Sequence, residues 1–166
     1  MLLAAAVAVA TVATGCVSHA PQASDTAAVG APPTGEMAHL AAVRLAAEND
    51  HDRLEFEFTD RVPGYTVSYE ALPAHADGSG AEIPLPGATA LVQIIFNPAT
   101  AHGWGGGPST YVGPSALTAP TEALTEVKAA GDFEAVLTWV AGLRRTVPFR
   151  VDVLDGPPRL VIRFQH

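Results

Sequence analysis

Hydrophobic and polar residues alternate along much of the chain after residue 38. Leu54, Phe56 and Phe58 are separated by charged residues, and the segment 65–69 repeats the pattern after a Pro-Gly turn. Such a period of two places one face of a β-strand in a core and leaves the other face in water. Four further runs share the alternation: 43–45, 133–139, 149–153 and 160–164.

Two segments add to this pattern. Residues 90–96 are apolar on both faces, which predicts a strand that is covered on both sides. Residues 121–130 place apolar side chains at helical spacing, so a short helix is an alternative there to the strand that we favour. Gly, Pro and Asp turns separate the runs, and 155–158 predicts a hairpin turn. The predicted fold class is all-β, a β-sandwich with at most one short helix.

The first sixteen residues have the pattern of a lipoprotein leader. Residues 2–12 are apolar and uncharged, too few for a membrane-spanning helix, which needs about 20 residues, but typical of a secretory signal peptide. The run ends in Ala-Thr-Gly before Cys16, the only cysteine, and this ending resembles a bacterial lipobox. We expect a signal peptide over 1–15, a lipid on Cys16 and an extracytoplasmic protein anchored to the cell membrane. A buried cysteine in a cleaved leader is the alternative.

The segment after the leader predicts a flexible tether over 16–37. It is rich in Ala, Pro, Gly, Ser and Thr and cannot bury enough surface to offset its chain entropy. Residues 38–166 then form one β domain. The 17 acidic and 9 basic residues give the chain a net charge of −8, which disfavours a nucleic-acid partner.

The sequence predicts no enzyme, no metal site and no cofactor. A Gly-x-Ser-x-Gly motif is absent, and Asp-Gly-Ser-Gly at 77–80 is typical of a hairpin turn. Glu55 and Glu57 are predicted to lie on the solvent-exposed face of one strand, which does not favour a catalytic pair of carboxylates. The segment 50–52 (Asp-His-Asp) is typical of a turn before a strand and not of a metal site. The six histidines show no ligand spacing.

Exposed aromatic and arginine side chains are the candidate binding residues. Trp104 lies in a Gly-rich loop, where its ring either faces a sugar or partner protein, or folds back to plug the sandwich edge. Tyr111 continues this loop and shares either role. Arg144 and Arg145 lie in a turn, where they either grip carboxylates of peptidoglycan peptides or are simply solvated.

Short blocks of the sequence resemble the AMIN-like domain of actinobacterial secreted proteins and lipoproteins. The blocks keep their order along the folded part: 51–58, 63–65, 97–102, 111–114, 131–134, 148–151 and 158–162. The resemblance implies a β-sandwich related to the AMIN module, which localises cell-wall amidases by binding the envelope. Arg163 departs from the pattern, where an acidic residue is expected.

The resemblance and the leader together predict a non-catalytic cell-envelope lipoprotein whose β domain binds peptidoglycan or an envelope protein. An accessory or scaffold lipoprotein that binds another envelope protein is the first alternative. An unrecognised hydrolase is the second, and a concave pocket with two or more convergent titratable groups would favour it. The sequence does not indicate an oligomeric state.

Overall fold

A computed structural model of the chain describes residues 25–33 and 35–166. Within these ranges the chain forms thirteen β-strands and one short 3-10 turn, Trp104–Gly106. The strands are β1 (Val29–Ala31), β2 (Ala38–Ala47), β3 (His51–Phe58), β4 (Gly64–Glu70), β5 (Ala74–His75), β6 (Glu82–Ile83), β7 (Ala90–Asn97), β8 (Ala99–Thr100), β9 (Ala116–Leu117), β10 (Leu124–Phe133), β11 (Val136–Leu143), β12 (Phe149–Leu154) and β13 (Arg159–Gln165).

The strands form two large sheets that share one core. The six-stranded sheet has the order β1-β4-β7-β11-β10-β9, and the five-stranded sheet has the order β12-β13-β3-β2-β8. Pairing within both is antiparallel except between β2 and β8, which run parallel. The all-β sandwich predicted from the alternation is confirmed. Residues 124–133 form β10, so the strand favoured there over a helix is also confirmed.

Aromatic side chains join the two sheets. Phe56 of β3 packs edge-on against Phe96 of β7 and Trp139 of β11, with ring centroids 5.0 and 5.8 Å apart. Phe58 meets Phe96 in the same way at 5.1 Å. Each of these rings lies on the apolar face of its strand and is buried. This confirms the prediction that the alternating apolar residues fill a layered core.

A small hairpin covers the outer face of the six-stranded sheet. Strands β5 and β6 pair with each other, and Ala74 packs with Leu91, Ala130 and Val140 in a second buried cluster. The outer face of β7 is therefore buried at Leu91, whereas Gln93 and Ile95 of the same face stay partly exposed. The turn over 77–80 lies in this hairpin, where Ser79 N donates to Asp77 O at 2.9 Å.

The predicted alternating strand over 133–139 is wrong at its start. The chain reverses at Glu134 and Ala135, which adopt positive φ values of 49° and 65° and join β10 to β11. Phe133 is consequently 68% exposed instead of lying in the core. A two-residue hairpin turn normally uses Gly, Asn or Asp at such angles, so this sequence carried no turn signal.

The structure also differs from the tether expected over 16–37. Strand β1 pairs with β4, and Asp25 exchanges two backbone hydrogen bonds with Phe149 of β12 at 2.8 and 3.1 Å. Backbone pairing at sheet edges needs no large apolar side chains, so this composition did not reveal it. A Cβ on Gly30 would lie 2.7 Å from Tyr65 O, and glycine therefore permits the close approach of β1.

The signal peptide expected over 1–15, Cys16 and the following residues up to 24 lie outside the described residues. In the part of the chain that the structure covers, none of the helical structure is long and apolar enough to cross a membrane.

Candidate binding cleft around His102 and Asp132

The loop after β8 closes on itself through backbone hydrogen bonds. Gly103 N donates to Pro108 O at 2.7 Å, Gly107 N donates to Gly103 O at 3.1 Å, and His102 forms a β-bridge with Ser109. Gly105 has a φ of 67°, a left-handed conformation that strains other residues. The Gly-rich segment is thus a compact loop that is closed by its own backbone.

Asp132, near the end of β10, ties this loop to the β10–β11 hairpin. Its Oδ2 accepts hydrogen bonds from Thr100 Oγ1 at 3.1 Å and from Ala101 N at 2.9 Å. His102 Nδ1 lies 2.7 Å from the same oxygen. With its Nδ1 held by the carboxylate, the imidazole of His102 has a fixed orientation. Its side chain remains 51% exposed, so it is accessible to a ligand.

Two grooves flank this pair. One has a volume of about 430 Å³ and is lined by His39, Gly105, Phe133 and their neighbours. The other has a volume of about 290 Å³ and is lined by Tyr111, Trp139 and their neighbours. His102 and Asp132 line both grooves, which we call together the His102 cleft. Cavities of this size are typical of small-ligand and sugar subsites.

Tyr111 is a fixed wall of the second groove. Its ring meets Trp139 edge-on with centroids 5.7 Å apart, and its hydroxyl donates to Pro114 O at 2.7 Å. Burial raises the pKa of the Tyr111 phenol above its ordinary value, so the hydroxyl stays protonated and able to donate at neutral pH. Trp139 itself belongs to the core, because its side chain is 1% exposed.

Of the other predicted binding residues, only Trp104 lies near the His102 cleft. The backbone of Trp104 begins the 3-10 turn beside the first groove, but its side chain lies outside the described part of the structure. Arg144 and Arg145 are exposed and follow the far end of β11. Trp139 of β11 lines the cleft, and the five residues from there to Arg144 span about 16 Å, at ~3.3 Å per residue. The structure therefore does not bring them to the same site.

The pattern of hydrophobic and polar residues does not single out the pair of His102 and Asp132. A signal for it was nevertheless present, because 97–102 and 131–134 are two of the blocks that carry the family resemblance. The structure brings these blocks together across thirty residues of chain. Among the described residues, no three His, Cys, Asp or Glu side chains are grouped so that they could hold a metal ion.

Comparison with known proteins gives one match. Neither a search of curated proteins nor a search of solved structures returned a significant match. Residues 38–166 match the family model of the AMIN-like domain. This match indicates a peptidoglycan-related domain that works outside the cytoplasm, in a family whose members are generally non-catalytic binding domains. Since the match spans most of its length and the whole sandwich from β2 onward, the chain belongs to the AMIN-like domain family.

Proposed function

We propose that this chain is a non-catalytic cell-envelope lipoprotein whose AMIN-like domain binds a cell-wall glycan in the His102 cleft. The observation that carries the proposal is the meeting of two family-typical blocks, 97–102 and 131–134, at the contact between His102 and Asp132. Side chains that hold a core together are buried, whereas the imidazole of His102 is half exposed. This combination is typical of a binding site.

The chemistry of the cleft suits a sugar. The partly exposed ring of Tyr111 offers a flat apolar face, against which a pyranose ring stacks. The imidazole of His102 and the hydroxyls of Ser109 and Ser115 lie around the grooves and can exchange hydrogen bonds with sugar hydroxyls. Removing one of these partners leaves a polar group of the bound sugar unpaired, which weakens binding.

Replacing His102 with alanine is expected to weaken binding of the purified full chain to isolated peptidoglycan about tenfold, or ~1.4 kcal/mol. Sedimentation with insoluble cell wall measures this effect. The matched control is His75→Ala, which removes an exposed histidine that lines neither groove. Equal loss in both variants, or no enrichment over an unrelated protein of the same net charge, would overturn the proposal.

The membrane anchor is the part of the proposal that rests on the sequence. Small residues before the only cysteine support lipidation of Cys16 and removal of 1–15. Mass spectrometry of membrane fractions is expected to find an acylated residue 16 at the new N-terminus, and Cys16→Ser is expected to release the protein from the membrane. Detection of unmodified Cys16 with 1–15 still attached would contradict the anchor.

A protein partner is the second candidate, and two exposed apolar side chains favour it. Val112 is 88% exposed and Phe133 is 68% exposed, and Phe133 lines the first groove of the His102 cleft. Crosslinking in cells distinguishes the candidates, because an accessory or scaffold lipoprotein would yield a crosslinked protein and a cell-wall binder would yield glycan.

A hydrolytic role is favoured by one feature of the cleft. His39, His102 and Asp132 converge on the first groove, which is the arrangement of titratable groups that the hydrolase alternative requires. Release of soluble fragments from purified peptidoglycan, abolished by His102→Ala, would establish this role. The absence of release by a chain that sediments with peptidoglycan would support the binding role.

A further inference from the structure

The outer face of the five-stranded sheet concentrates arginine side chains, which Glu55, Glu57 and Asp152 partly neutralise. It carries five of the nine basic residues of a chain whose net charge is −8. Glu55 forms ion pairs with three of them, and Asp152 forms ion pairs with the other two. The three partners of Glu55 are Arg44, Arg53 and Arg159, and the two partners of Asp152 are Arg150 and Arg163.

Three of these arginines are directly adjacent. In the strand register, Arg163 of β13 lies opposite Arg150 of β12 on one side and opposite Arg53 of β3 on the other. Like charges at opposite positions destabilise a sheet. Burial, together with the charges of Arg150 and Arg53, lowers the pKa of Arg163. A local conflict of this kind, retained in a folded domain, is typical of a functional site.

Asp152, the carboxylate that Arg150 and Arg163 share, engages only part of the donors of these two guanidinium groups. Asp152 Oδ2 accepts from Arg150 Nε at 3.2 Å and also contacts Arg163 Nη1, so it engages one nitrogen of each group. Each arginine carries five N–H donors. Arg53 Nε is buried without a hydrogen bond, although Glu48 Oε1 lies 3.4 Å from it.

A small cavity lies beside this row. It has a volume of about 160 Å³ and is lined by Arg150, Arg163, His51, Asp50 and Gln165. This volume is smaller than a typical ligand pocket of ~300 Å³ and fits a charged head group with its adjoining atoms. Asp50 is hydrogen-bonded to His51 at 2.6 Å, and its side chain is 87% exposed, so water screens its charge from the cavity.

We propose that Arg150 and Arg163 form a binding site for a carboxylate group of an acidic peptide. The planar fork of an arginine matches a carboxylate in a bidentate geometry, and Asp152 occupies only part of the donor set of the two side chains. The site lies at the β12 edge of the five-stranded sheet, whereas the His102 cleft adjoins β8 at the opposite edge. Its ligand chemistry therefore does not depend on the glycan proposal.

The test titrates the purified full chain with hexaglutamate and, as a neutral control, with hexaglutamine. Arg150→Gln combined with Arg163→Gln is expected to weaken hexaglutamate binding about tenfold or more, because two charge-assisted contacts are lost. Arg61→Gln combined with Lys128→Gln is the matched control, since it removes the same charge at positions that do not line the cavity and is expected to leave binding unchanged.

Five results would overturn the proposal. Equal loss in both double variants would show only the effect of net charge, and loss in the Arg61 and Lys128 variant alone would contradict the assignment to Arg150 and Arg163. Binding of hexaglutamine as tight as that of hexaglutamate would exclude carboxylate recognition. Tighter binding of inorganic phosphate or of phosphatidylglycerol vesicles would assign the site to phosphate. If the Arg150 and Arg163 variant fails to fold, the single variant Arg163→Lys is measured instead. Lysine keeps the positive charge but lacks the planar guanidinium group that binds a carboxylate through two hydrogen bonds. Unchanged binding of hexaglutamate by this variant would also refute the site.

Discussion

Replacing Asp52 with alanine is expected to lower the free energy of unfolding by about 4 kcal/mol. Its side chain is fully buried, and its carboxylate accepts hydrogen bonds from Ala123 N at 2.7 Å, Leu124 N at 2.9 Å and Glu122 N at 3.3 Å. Alanine would leave three backbone donors without their acceptor, and each buried donor so deprived costs ~1–3 kcal/mol. Urea unfolding followed by circular dichroism measures the change.

Two variants show whether the hydrogen bonds are the cause. Asp50→Ala removes the same charge two residues away from a side chain that is 87% exposed, so a change of less than ~0.5 kcal/mol is expected. Asp52→Asn keeps one acceptor oxygen and should fall between the wild type and Asp52→Ala. If Asp50→Ala and Asp52→Ala destabilised the chain equally, loss of charge and not of these hydrogen bonds would explain the effect.

The role of Asp52 illustrates what a single sequence conceals. The alternation with a period of two puts Asp52 on the same strand face as Leu54, Phe56 and Phe58. Because Asp is polar and that face is apolar, the sequence predicts that Asp52 belongs to the turn before the strand. The structure instead places it inside β3, where it binds the segment before β10 some seventy residues later. The sequence shows that residue 52 is polar. Its hydrogen-bond donors, the backbone N–H groups of Ala123 and Leu124, come close only when the two sheets pack together.

Most of the sandwich could be predicted because each long strand has one buried face. The alternation in β3, β4, β12 and β13 is enough to assign strands and a layered core. Strand β1 could not be predicted in this way, because it is held by backbone pairing and leaves no pattern in its side chains. The turn after Phe133 was missed for the related reason that neither Glu134 nor Ala135 is a typical turn residue.

The candidate sites depend on register and on loop closure, which a periodic pattern does not encode. The pairing of β3 with β13 decides that Arg163 faces Arg53, and shifting one strand by a single residue would move these side chains to opposite faces. The same limit applies to the contact between His102 and Asp132, which requires the closed loop after β8 to meet the end of β10.

Replacing Phe56 with alanine is expected to lower the free energy of unfolding by about 4 kcal/mol. Phe56 is fully buried, and its ring contacts both Phe96 and Trp139 of the facing sheet. Alanine removes the apolar surface that the ring buries and leaves a cavity between two sheets, whose hydrogen-bonded strands limit how far they can collapse. The midpoint of urea unfolding, at an unchanged slope, reports this loss.

Phe133→Ala is the matched control, because it deletes the same side chain at a position that is 68% exposed. Its unfolding free energy is expected to stay within ~0.5 kcal/mol of the wild type. The two phenylalanines thus have different roles. Phe56 holds the two sheets together, whereas Phe133 lines the first groove of the His102 cleft. A large destabilisation by Phe133→Ala would show that its ring packs against the domain, and the second candidate function would then depend on the exposed side chain of Val112 alone.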